Sequence, residues 1–403
     1  MTIRIYPSEA EGIVPAPPSK SEAHRALLCA GLAKGESVLT IGDPPFPEDV
    51  LATMVCLRAL GARVRCEGKR LVVCGTDPRE TVGALLPCRE SGSTLRFLLP
   101  VALLAPGETV FTGSERLMQR PLAVYRALAA EKGLRFSEES GRLRVKGPLR
   151  GGFYRISGSV SSQFVSGLLF ALPLCEEDSV IELIPPVVSA PYIALTRQML
   201  ARFGIETEAD GETLIRVPGR QTYRAASVVI GGDWSGAAFL DALGLFTGKV
   251  TVTGLSQDTE QGDKLYPSLF SELQKGFCRF DLKDTPDLAP ILFVLASLLH
   301  GAEFTGTARL RDKESDRACA MASELRKCGA DITVSQDSVR ILPVPLHSPP
   351  SPLDGHGDHR VVMALSVLLS RLGGDIEGAD AVAKSFPGFF AALRQIGIQW
   401  AGG

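Results

Sequence analysis

The sequence has no apolar stretch long enough to cross a membrane and no marked excess of either charge. Its longest apolar run, at residues 288–299, is shorter than the roughly 20 residues that a membrane-spanning helix needs. The start, MTIRIYPSEAEG, has no apolar core of the kind that a secretion signal contains. A formal net charge of -2 argues against nucleic acid or an anionic membrane surface as the main partner. We therefore expect a soluble, cytoplasmic protein.

The nine cysteines lack the paired spacing that is typical of metal sites and disulfide frameworks. No two of them form a C-x-x-C pair, so reduced thiols in a cytosolic protein are expected. His356 and His359 form an H-x-x-H pair, but no third ligand follows at a suitable spacing. The sequence therefore predicts no bound metal.

The chain contains six copies of one pattern, in which a polar loop precedes an apolar helix, a short turn and a strand. With 403 residues, 45% of them hydrophobic, it is long enough for two or three domains with substantial cores. The polar loops open at Ser19, Glu90, Ser159, Asp233, Asp284 and Gly355. A second predicted helix in each copy ends on a glycine, and these glycines are Gly61, Gly133, Gly204, Gly276, Gly329 and Gly397.

The spacing of these six glycines supports a true internal repeat. Their successive separations are 72, 71, 72, 53 and 68 residues, and the turns after the first helices show the same short fourth interval. Copies of this length are too large for a solenoid. The pattern predicts six β-α-β-α units with extra strands, packed in two domains of three.

The most highly charged stretch, RLRDKESDR, lies at residues 309–317 and precedes an amphipathic helix. Lys313 and Arg317 are four residues apart and are predicted to share a helical face, with Glu314 beside them. If the first helices of symmetric copies point their N-termini at one cleft, helix dipoles and unpaired N–H groups converge there. The cations at the helix starts of the copies are Lys20, Arg25, Arg96, Arg120, Lys313, Arg317, Arg360 and Lys384. The sequence therefore predicts a site for a small, strongly anionic ligand.

Nine stretches match, in order and in spacing, the motifs of one enzyme family. They read PPSKSEAHRALLCAGLAKG, ESGSTLRFLLPVALL, LMQRPL, GSVSSQFVSGLLFALPL, SAPY, DTPDLAP, RLRDKESDRACAMASELRKCGA, GDHRVVMALS and KSFPGFF. On these motifs the chain resembles the 3-phosphoshikimate 1-carboxyvinyltransferases, also called EPSP synthases, over nearly its whole length. The resemblance implies an α/β fold, a two-domain inside-out α/β barrel in which each domain has three βαβαββ repeats. The implied domains are 19–231, on the shikimate phosphate side, and 1–18 with 232–403, on the side of the catalytic Lys, Glu and Asp.

The resemblance also implies a reaction. The 5-hydroxyl of 3-phosphoshikimate adds to C2 of phosphoenolpyruvate, and the tetrahedral product then eliminates phosphate, which completes enolpyruvyl transfer in the shikimate pathway. No metal or organic cofactor is implied, and the expected partners are the two small-molecule substrates of a monomeric enzyme. Both substrates carry a phosphate and a carboxylate, in agreement with the anionic ligand that the cations predict.

The family motifs imply roles for individual residues. The implied catalytic groups are Lys20, Asp287, Lys313 and Glu314. The residues implied for 3-phosphoshikimate are Lys20, Ser21, Arg25, Ser161, Ser162, Gln163, Ser189, Tyr192, Asp287 and Lys313. The residues implied for phosphoenolpyruvate are Lys20, Gly92, Arg120, Gln163, Arg317, Arg360 and Lys384. Which of Asp287, Lys313 and Glu314 moves each proton stays open, and His24 is expected only to pack.

Several positions depart from the commonest family pattern. They are Pro18, Glu90, Arg309, Trp234 and Gly236. None of these departures removes an implied catalytic group. Glu90 is expected to place an anion near the phosphoenolpyruvate subsite and to affect the affinity for that substrate.

Two other functions were weighed. The related UDP-N-acetylglucosamine enolpyruvyl transferases carry a Lys-Asn pair and a reactive loop cysteine. Here Ser21 follows Lys20, and no cysteine lies in residues 113–120. A non-catalytic anion-binding relative would be expected to have lost Asp287, Lys313 or Glu314, and all three are present. The enolpyruvyl transfer to 3-phosphoshikimate is therefore the preferred interpretation.

Overall fold

The computed structural model describes residues 1–402, and the chain divides into two compact units. Unit 1 combines Met1–Ser19 with Gly231–Gly403, and unit 2 is Lys20–Ile230. The helices are α1 (Lys20–Leu32), α2 (Glu48–Ala59), α3 (Gly92–Ala102), α4 (Glu115–Met118), α5 (Ala123–Glu131), α6 (Ser162–Ala171), α7 (Ala190–Arg202), α8 (Trp234–Gly244), α9 (Tyr266–Lys275), α10 (Ala289–Leu298), α11 (Arg317–Lys327), α12 (His359–Leu372) and α13 (Phe389–Gln395).

The strands form six sheets, three in each unit. They are β1 (Thr2–Ile5), β2 (Gly12–Pro15), β3 (Glu36–Thr40), β4 (Arg63–Glu67), β5 (Arg70–Cys74), β6 (Gly83–Pro87), β7 (Glu108–Thr112), β8 (Arg135–Glu139), β9 (Arg142–Lys146), β10 (Gly152–Ser157), β11 (Ser179–Ile184), β12 (Glu208–Asp210), β13 (Leu214–Val217), β14 (Ser227–Val229), β15 (Val250–Thr253), β16 (Cys278–Asp281), β17 (Ala302–Thr305), β18 (Asp331–Val334), β19 (Ser338–Leu342), β20 (Leu353–Asp354), β21 (Gly374–Glu377) and β22 (Trp400–Gly402).

One strand order recurs in the four-stranded sheets. Unit 2 has the orders β14-β3-β5-β4, β6-β7-β9-β8 and β10-β11-β13-β12, and unit 1 has β16-β17-β19-β18 and β20-β21-β1-β22. In each of these sheets the first pair is parallel and the other pairs are antiparallel. The repeat predicted from the glycine spacing is therefore a structural repeat.

The short fourth interval has a structural cause. In the first, second, third and fifth copies a hairpin of two antiparallel strands follows the second helix, as β4 and β5 follow α2, and in the sixth copy β22 pairs with β1 instead. In the fourth copy α9 ends at Lys275 and β16 already begins at Cys278. This copy therefore lacks the hairpin within the described residues, and its sheet consists of β15 and β2.

The N-terminal segment completes two of the copies in unit 1. β1 pairs antiparallel with β21 and with β22, in the place that β19 holds in its own sheet. β2 pairs parallel with β15 and so supplies the first strand of the fourth copy. Unit 1 is therefore built from both ends of the chain.

The six predicted helix-ending glycines all have positive φ, which confirms their role. The angles run from 66° at Gly133 to 156° at Gly276. At Gly61, its N–H donates to the carbonyl of Arg58, and the next N–H, of Ala62, donates to that of Leu57. These bonds satisfy carbonyl groups that the helix end would otherwise leave unpaired.

The first helix of each copy is buried nearly all round, and the sheets cover it. In α10, every residue from Ala289 to Ser297 is buried, as expected for a helix that is apolar on all sides. The strands instead alternate between buried and exposed residues, as β1 does. In unit 1 the helices α8, α10 and α12 contact one another. Helices inside and sheets outside give the inside-out arrangement.

All six first helices begin within the polar loops that the sequence indicated. Four of them have a side-chain N-cap, in which an oxygen accepts a hydrogen bond from a backbone N–H. These caps are Ser91, Ser161, Asp233 and Asp358. The N-termini of these helices carry the residues that the sequence analysis singled out.

The prediction that Lys313 and Arg317 share a helical face is wrong. Residues Ala308–Asp312 form a 3₁₀ helix, and α11 begins only at Arg317. Lys313 has an extended backbone with φ -85° and ψ -164°. The N-cap of α11 is Asp316, whose side chain accepts a hydrogen bond from the N–H of Cys319, so the residues before it lie outside the helix.

Candidate active site

In unit 1, one carboxylate is surrounded by three cations. Oδ1 of Asp287 lies 2.7 Å from Nη1 of Arg317 and 3.3 Å from Nζ of Lys313. Oδ2 of the same side chain accepts a hydrogen bond from Nη2 of Arg360 at 3.1 Å. Asp287 lies in the loop just before α10, and Arg360 is in the first turn of α12. The structure thus brings together four residues that the sequence placed at helix starts.

Arg317 organises this cluster because it is buried and held by three carboxylates. Its side chain is 1% exposed, and its Nη2 donates to Oε2 of Glu314 at 2.8 Å. Its Nε donates to Oδ2 of Asp358 at 2.8 Å, and Nη2 also reaches Oδ1 at 3.3 Å. A buried cation is tolerated where several charge-assisted hydrogen bonds replace water. Arg317 therefore fixes Asp287, Glu314 and Asp358 relative to one another.

The surroundings of the cluster affect the ionisation of Asp287 and of Lys313 differently. Burial alone would raise the pKa of the Asp287 carboxyl, but its three cationic neighbours hold that pKa well below its usual range. Burial lowers the pKa of Lys313 to about 8, and this effect exceeds the opposing effect of Asp287. Asp287 thus stays ionised, whereas the lysine can exchange a proton near neutral pH.

Lys384 lies at the end of the 3₁₀ helix Ala379–Lys384, and its Nζ donates to the carbonyl of Gly357 at 2.7 Å. Gly357 immediately precedes Asp358, which caps α12 by accepting a hydrogen bond from the N–H of Arg360 at 2.9 Å. Lys384 and Arg360 are therefore both tied to the loop before α12.

Two buried carboxylates of unit 1 were not predicted as site residues. Asp358 accepts hydrogen bonds from Ser315 and from Arg317, and its position before the first helical residue was a usable capping signal. Asp263 accepts a hydrogen bond from the hydroxyl of Ser235. Burial and, next, the charge of Asp287 raise the pKa of Asp263 to about 7. No local sequence signal marked Asp263.

In unit 2, the first residue of α1 forms an ion pair with α2. Nζ of Lys20 lies 2.9 Å from Oδ2 of Asp49, and both side chains are mostly buried, at 12% and 10% exposed. Asp49 was not among the predicted site residues. The pair fixes the lysine at the N-terminus of α1.

Arg25, one turn after Ser21 on α1, is held by backbone carbonyls and a hydroxyl group of α1 and α7. Its Nε donates to Oγ1 of Thr196 at 2.8 Å, and its Nη2 donates to the carbonyl of Tyr192 at 3.0 Å. Its Nη1 donates to the carbonyl of Ser21 at 2.9 Å, and the guanidinium lies over the ring of Phe97. Burial lowers the pKa of Arg25 to about 10. The structure therefore brings Ser21, Arg25 and Tyr192 together.

Gln163, at the start of α6, joins the first turns of neighbouring helices. Its Oε1 accepts a hydrogen bond from Nη1 of Arg96 at 2.8 Å, and its Nε2 donates to Oγ of Ser93 at 2.9 Å. Both of these partners lie on α3. The amide of Gln163 is thereby held in one orientation.

Gly92 leaves room for Arg120. A Cβ atom at Gly92 would lie 2.4 Å from Nη1 of Arg120 and 2.9 Å from its Cζ. Such contacts are too short, so any side chain at this position must displace the guanidinium. The family motifs imply Gly92 as a phosphoenolpyruvate contact, and the structure adds a requirement set by Arg120.

Four of the predicted hydroxyl-bearing residues of unit 2 lie at the starts of α6 and α7. Ser161 caps α6, and Ser162 is the first residue of that helix. Ser189 precedes α7 and has a left-handed backbone, with φ 56° and ψ 35°. This conformation is uncommon for a residue other than glycine and often marks a functional position. Tyr192 lies in the first turn of α7.

His24 takes part in a buried chain of hydrogen bonds in addition to packing against Phe97. Its Nδ1 lies 2.8 Å from Oγ1 of Thr53, which lies 2.8 Å from Oγ1 of Thr94. Thr94 in turn donates to Oγ of Ser91 at 2.7 Å. Burial lowers the pKa of His24 to about 3. A neutral imidazole therefore links α1, α2 and α3.

The positions that depart from the family pattern fit their surroundings. Nη1 of Arg309 donates to the carbonyl of Lys283 at 2.9 Å. Trp234 is buried, and its indole N–H donates to the carbonyl of Ser256. A Cβ at Gly236 would lie 2.6 Å from Cγ of Pro17. Glu90 is exposed and immediately precedes the N-cap of α3, and nothing in the structure tests its expected effect on affinity.

Within residues 1–402, no three His, Cys, Asp or Glu side chains are grouped closely enough to hold a metal ion. His356, one of the two H-x-x-H histidines, instead contacts Glu324. None of the helices in that range is long and apolar enough to cross a membrane.

Comparisons with known proteins give one consistent result. Residues 6–393 match the family model of EPSP synthase (3-phosphoshikimate 1-carboxyvinyltransferase). The chain is 38% identical to the 3-phosphoshikimate 1-carboxyvinyltransferase of Clostridium kluyveri, over 98% of this chain and 97% of that protein. It is 36% identical to the enzyme of the same name from Clostridium perfringens, over 98% and 97%. The one from Methanocorpusculum labreanum is also 36% identical, over 98% and 99%.

The fold is that of a solved relative. An EPSP synthase structure from Acinetobacter baumannii superposes with a TM-score of 0.77 at 22% identity, over 100% of both chains. This likeness confirms the predicted α/β fold, and the family match confirms the resemblance inferred from the nine motifs. The chain belongs to the EPSP synthase, or 3-phosphoshikimate 1-carboxyvinyltransferase, family.

Proposed function

We propose that this protein transfers the enolpyruvyl group of phosphoenolpyruvate to the 5-hydroxyl of 3-phosphoshikimate, with release of phosphate. Family membership supports the overall reaction. The observation that carries the assignment to this chain is the contact of Asp287 with Lys313, Arg317 and Arg360. A carboxylate held among cations at helix starts suits chemistry on two anionic substrates. The reaction belongs to the shikimate pathway, which leads to aromatic amino acids.

The proposed chemistry proceeds by addition and elimination. The 5-hydroxyl loses its proton as its oxygen bonds to C2 of phosphoenolpyruvate, and the methylene carbon of phosphoenolpyruvate gains a proton, which gives a tetrahedral intermediate with a methyl group. Loss of a methyl proton and cleavage of the C2–O bond to phosphate then restore the double bond. One proton must therefore leave the hydroxyl, one must be delivered to carbon, and one must later be removed from that carbon.

Three residues of unit 1 are proposed to serve these steps. Asp287, which stays anionic, accepts a hydrogen bond from the reacting hydroxyl. Lys313 lies beside Asp287, and its lowered pKa near 8 suits proton exchange with the same oxygen. Glu314, held by Arg317, is proposed to deliver the proton to the methylene carbon.

The phosphoenolpyruvate ligands are proposed on both units. They are Lys20, Gly92, Arg120, Gln163, Arg317, Arg360 and Lys384. Arg317 makes four contacts with protein carboxylates. Since a guanidinium has five N–H donors, we assign Arg317 one direct hydrogen bond to phosphoenolpyruvate at most. Arg360 and Lys384 are assigned more of the hydrogen bonds to this substrate.

The ligands of 3-phosphoshikimate are proposed mainly on unit 2. They are Lys20, Ser21, Arg25, Ser161, Ser162, Gln163, Ser189 and Tyr192, with Asp287 and Lys313 from unit 1. The hydroxyls at the N-termini of α6 and α7 offer donors to a phosphate where backbone N–H groups also point outward. The left-handed backbone of Ser189 is the clearest local support for this assignment.

We also propose a cytoplasmic location and a monomeric state. All nine cysteines are free thiols, which fits a reducing compartment. Light scattering of the purified protein tests the monomer.

A comparison of two acceptors tests the proposed function. Purified protein is incubated with phosphoenolpyruvate and chelator, together with either 3-phosphoshikimate or UDP-N-acetylglucosamine. We expect phosphate release only with 3-phosphoshikimate, and the same rate with and without chelator. Release with the nucleotide sugar alone would contradict the assigned acceptor. Loss of activity with chelator, restored by zinc or magnesium, would contradict the cofactor-free reaction.

A further inference from the structure

Another buried carboxylate of unit 1, Glu324, lies on α11, away from the Asp287 cluster. Glu324 is 1% exposed, and its Oε1 lies 2.9 Å from Nε2 of His356. Its Oε2 accepts hydrogen bonds from Nζ of Lys327 at 2.7 Å and from the N–H of Asp354 at 2.9 Å. Glu324 therefore fastens residues 354–356 to α11.

The same loop, residues 354–358, is fastened to α11 a second time. Asp358 accepts a hydrogen bond from Nε of Arg317, the first residue of α11. Between the two attachments, the carbonyl of Gly357 accepts the hydrogen bond of Lys384. Directly after the loop, Arg360 donates to Asp287. Two proposed phosphoenolpyruvate ligands thus depend on the position of this loop.

We propose that His356 is a positioning residue, whose ion pair with Glu324 holds residues 354–358 and so sets the affinity for phosphoenolpyruvate at Arg360 and Lys384. This inference rests on the proposed function, because it concerns the binding of that substrate. His356 touches no proposed substrate-binding group itself. It acts through the loop backbone.

The charges around His356 favour its cationic form. The hydrogen bond with Glu324 raises the pKa of His356 above its usual value, against the effect of burial. The charge of Asp354 acts in the same direction, and that of Lys327 opposes it. Although burial acts the other way, hydrogen bonds from His356 and Lys327 lower the pKa of Glu324 to about 2.

The pH range in which the ion pair is intact follows from the shifted pKa values of His356 and Glu324. A histidine with a raised folded-state pKa contributes its full stabilisation below its usual value near 6.5, and loses it as the pH rises through the folded-state pKa. Glu324 stays ionised down to about pH 2. The ion pair is therefore intact in mild acid, and at alkaline pH it is reduced to a hydrogen bond between a neutral imidazole and the Glu324 carboxylate.

The backbone of His356 decides which variant is informative. Its φ is 51°, a left-handed conformation that histidine and asparagine tolerate better than most residues. In His356→Gln the side-chain amide can still donate to Glu324 but cannot become charged. Any backbone strain in this variant adds an effect that does not depend on pH. Glu324 keeps its contacts with Lys327 and Asp354, so the fold should persist.

The experiment measures KM for phosphoenolpyruvate between pH 5.5 and 9 for the wild type, His356→Gln and the control His347→Gln. His347 is an exposed histidine of the same unit whose ring contacts the carbonyl of Ser348. We expect the ratio of KM, variant over wild type, to fall by about fivefold as the pH rises through the pKa of His356. The control ratio should stay near one, and kcat should change little. Use of the ratio cancels the titration of the substrates.

NMR titration of the His356 ring gives an independent readout. We expect its pKa to lie above the 6.5 that is usual for histidine. A ratio of KM that is constant across the pH range, or a His356 pKa at or below 6.5, would overturn the positioning role while leaving the transferase assignment intact. A wild-type protein that releases no phosphate would overturn both.

Discussion

Nζ of Lys313 lies 3.3 Å from Oδ1 of Asp287, and the two residues precede the second and the first helix of the same copy of the repeat. The same oxygen is 2.7 Å from Nη1 of Arg317. One carboxylate oxygen therefore contacts both a permanently charged arginine and a lysine whose pKa is lowered to about 8. This combination of a permanent charge with a titratable one is the feature on which the proposed proton transfers depend.

Replacement of Lys313 by methionine should be far more damaging than replacement of Arg309 by asparagine. Lys313 contacts Asp287, whereas Arg309 donates to the carbonyl of Lys283 at the protein surface. We expect kcat/KM to fall about 100-fold or more in Lys313→Met, and to change little in Arg309→Asn. Steady-state kinetics of both variants check this. Equal losses would contradict the assigned roles.

The pH profile should report the titration of Lys313. Its folded-state pKa is lowered to about 8, so the ammonium that faces the reacting oxygen is lost as the pH rises through that value. We expect kcat/KM to decline above pH 8. In Lys313→Arg, which keeps the charge without titrating, activity should be lower but this decline should be absent. An alkaline limb that persists unchanged in the arginine variant would assign the titration to another group.

Alanine at Gly92 should weaken phosphoenolpyruvate binding. Its Cβ would lie 2.4 Å from Nη1 of Arg120, so the guanidinium must move. We expect KM for phosphoenolpyruvate to rise about tenfold or more, while KM for 3-phosphoshikimate changes little. Gly388→Ala is the matched control, because a Cβ there meets no atom closer than 3.8 Å. A Gly92→Ala enzyme with unchanged KM for phosphoenolpyruvate would show that Arg120 does not bind it.

His24 should make the fold sensitive to acid. Its folded-state pKa is lowered to about 3, below the usual 6.5, so the unfolded chain binds a proton more readily. Stability from this group is present above pH 6.5 and is lost as the pH falls towards 3. Urea unfolding at pH 7 and pH 4 should show a smaller loss of stability in His24→Gln than in wild type. The exposed-site control His347→Gln should lose as much free energy of unfolding between pH 7 and pH 4 as the wild type. Identical losses of stability in all three proteins would contradict the prediction.

Features set by local chemistry could be predicted from the sequence. The six helix-ending glycines were recognisable because a helix that ends in a left-handed residue favours glycine, and all six have positive φ. The polar helix starts were recognisable for a similar reason, since residues such as Ser91 and Asp358 cap helices with their side chains. These signals also revealed the short fourth interval, although its cause, a missing hairpin, needed the structure.

The start of α11 shows where pattern reasoning failed. Lys313 and Arg317 have helical spacing, but Asp316 takes the N-cap position and leaves Lys313 in an extended segment. Ser315 and Asp316 are both suitable caps, and the charge pattern does not choose between them.

Contacts between distant parts of the chain could not be predicted either. The pairs Lys20–Asp49 and Glu324–His356 depend on how helices and loops pack. Neither pair has a spacing that marks it within one element. Family motifs identified Lys20, because it lies in a recognisable stretch. They gave no indication of the partner that fixes it, or of the role of Glu324.

The most direct test of the central claim is NMR analysis of the products formed from phosphoenolpyruvate and 3-phosphoshikimate in deuterated water. We predict one enolpyruvyl ether of 3-phosphoshikimate for each phosphate released. Deuterium should appear in its methylene group, because the intermediate carries a methyl group that gains one solvent hydron before it loses another. Phosphate accompanied by pyruvate, with no enol ether, would show hydrolysis in place of transfer and would contradict the account.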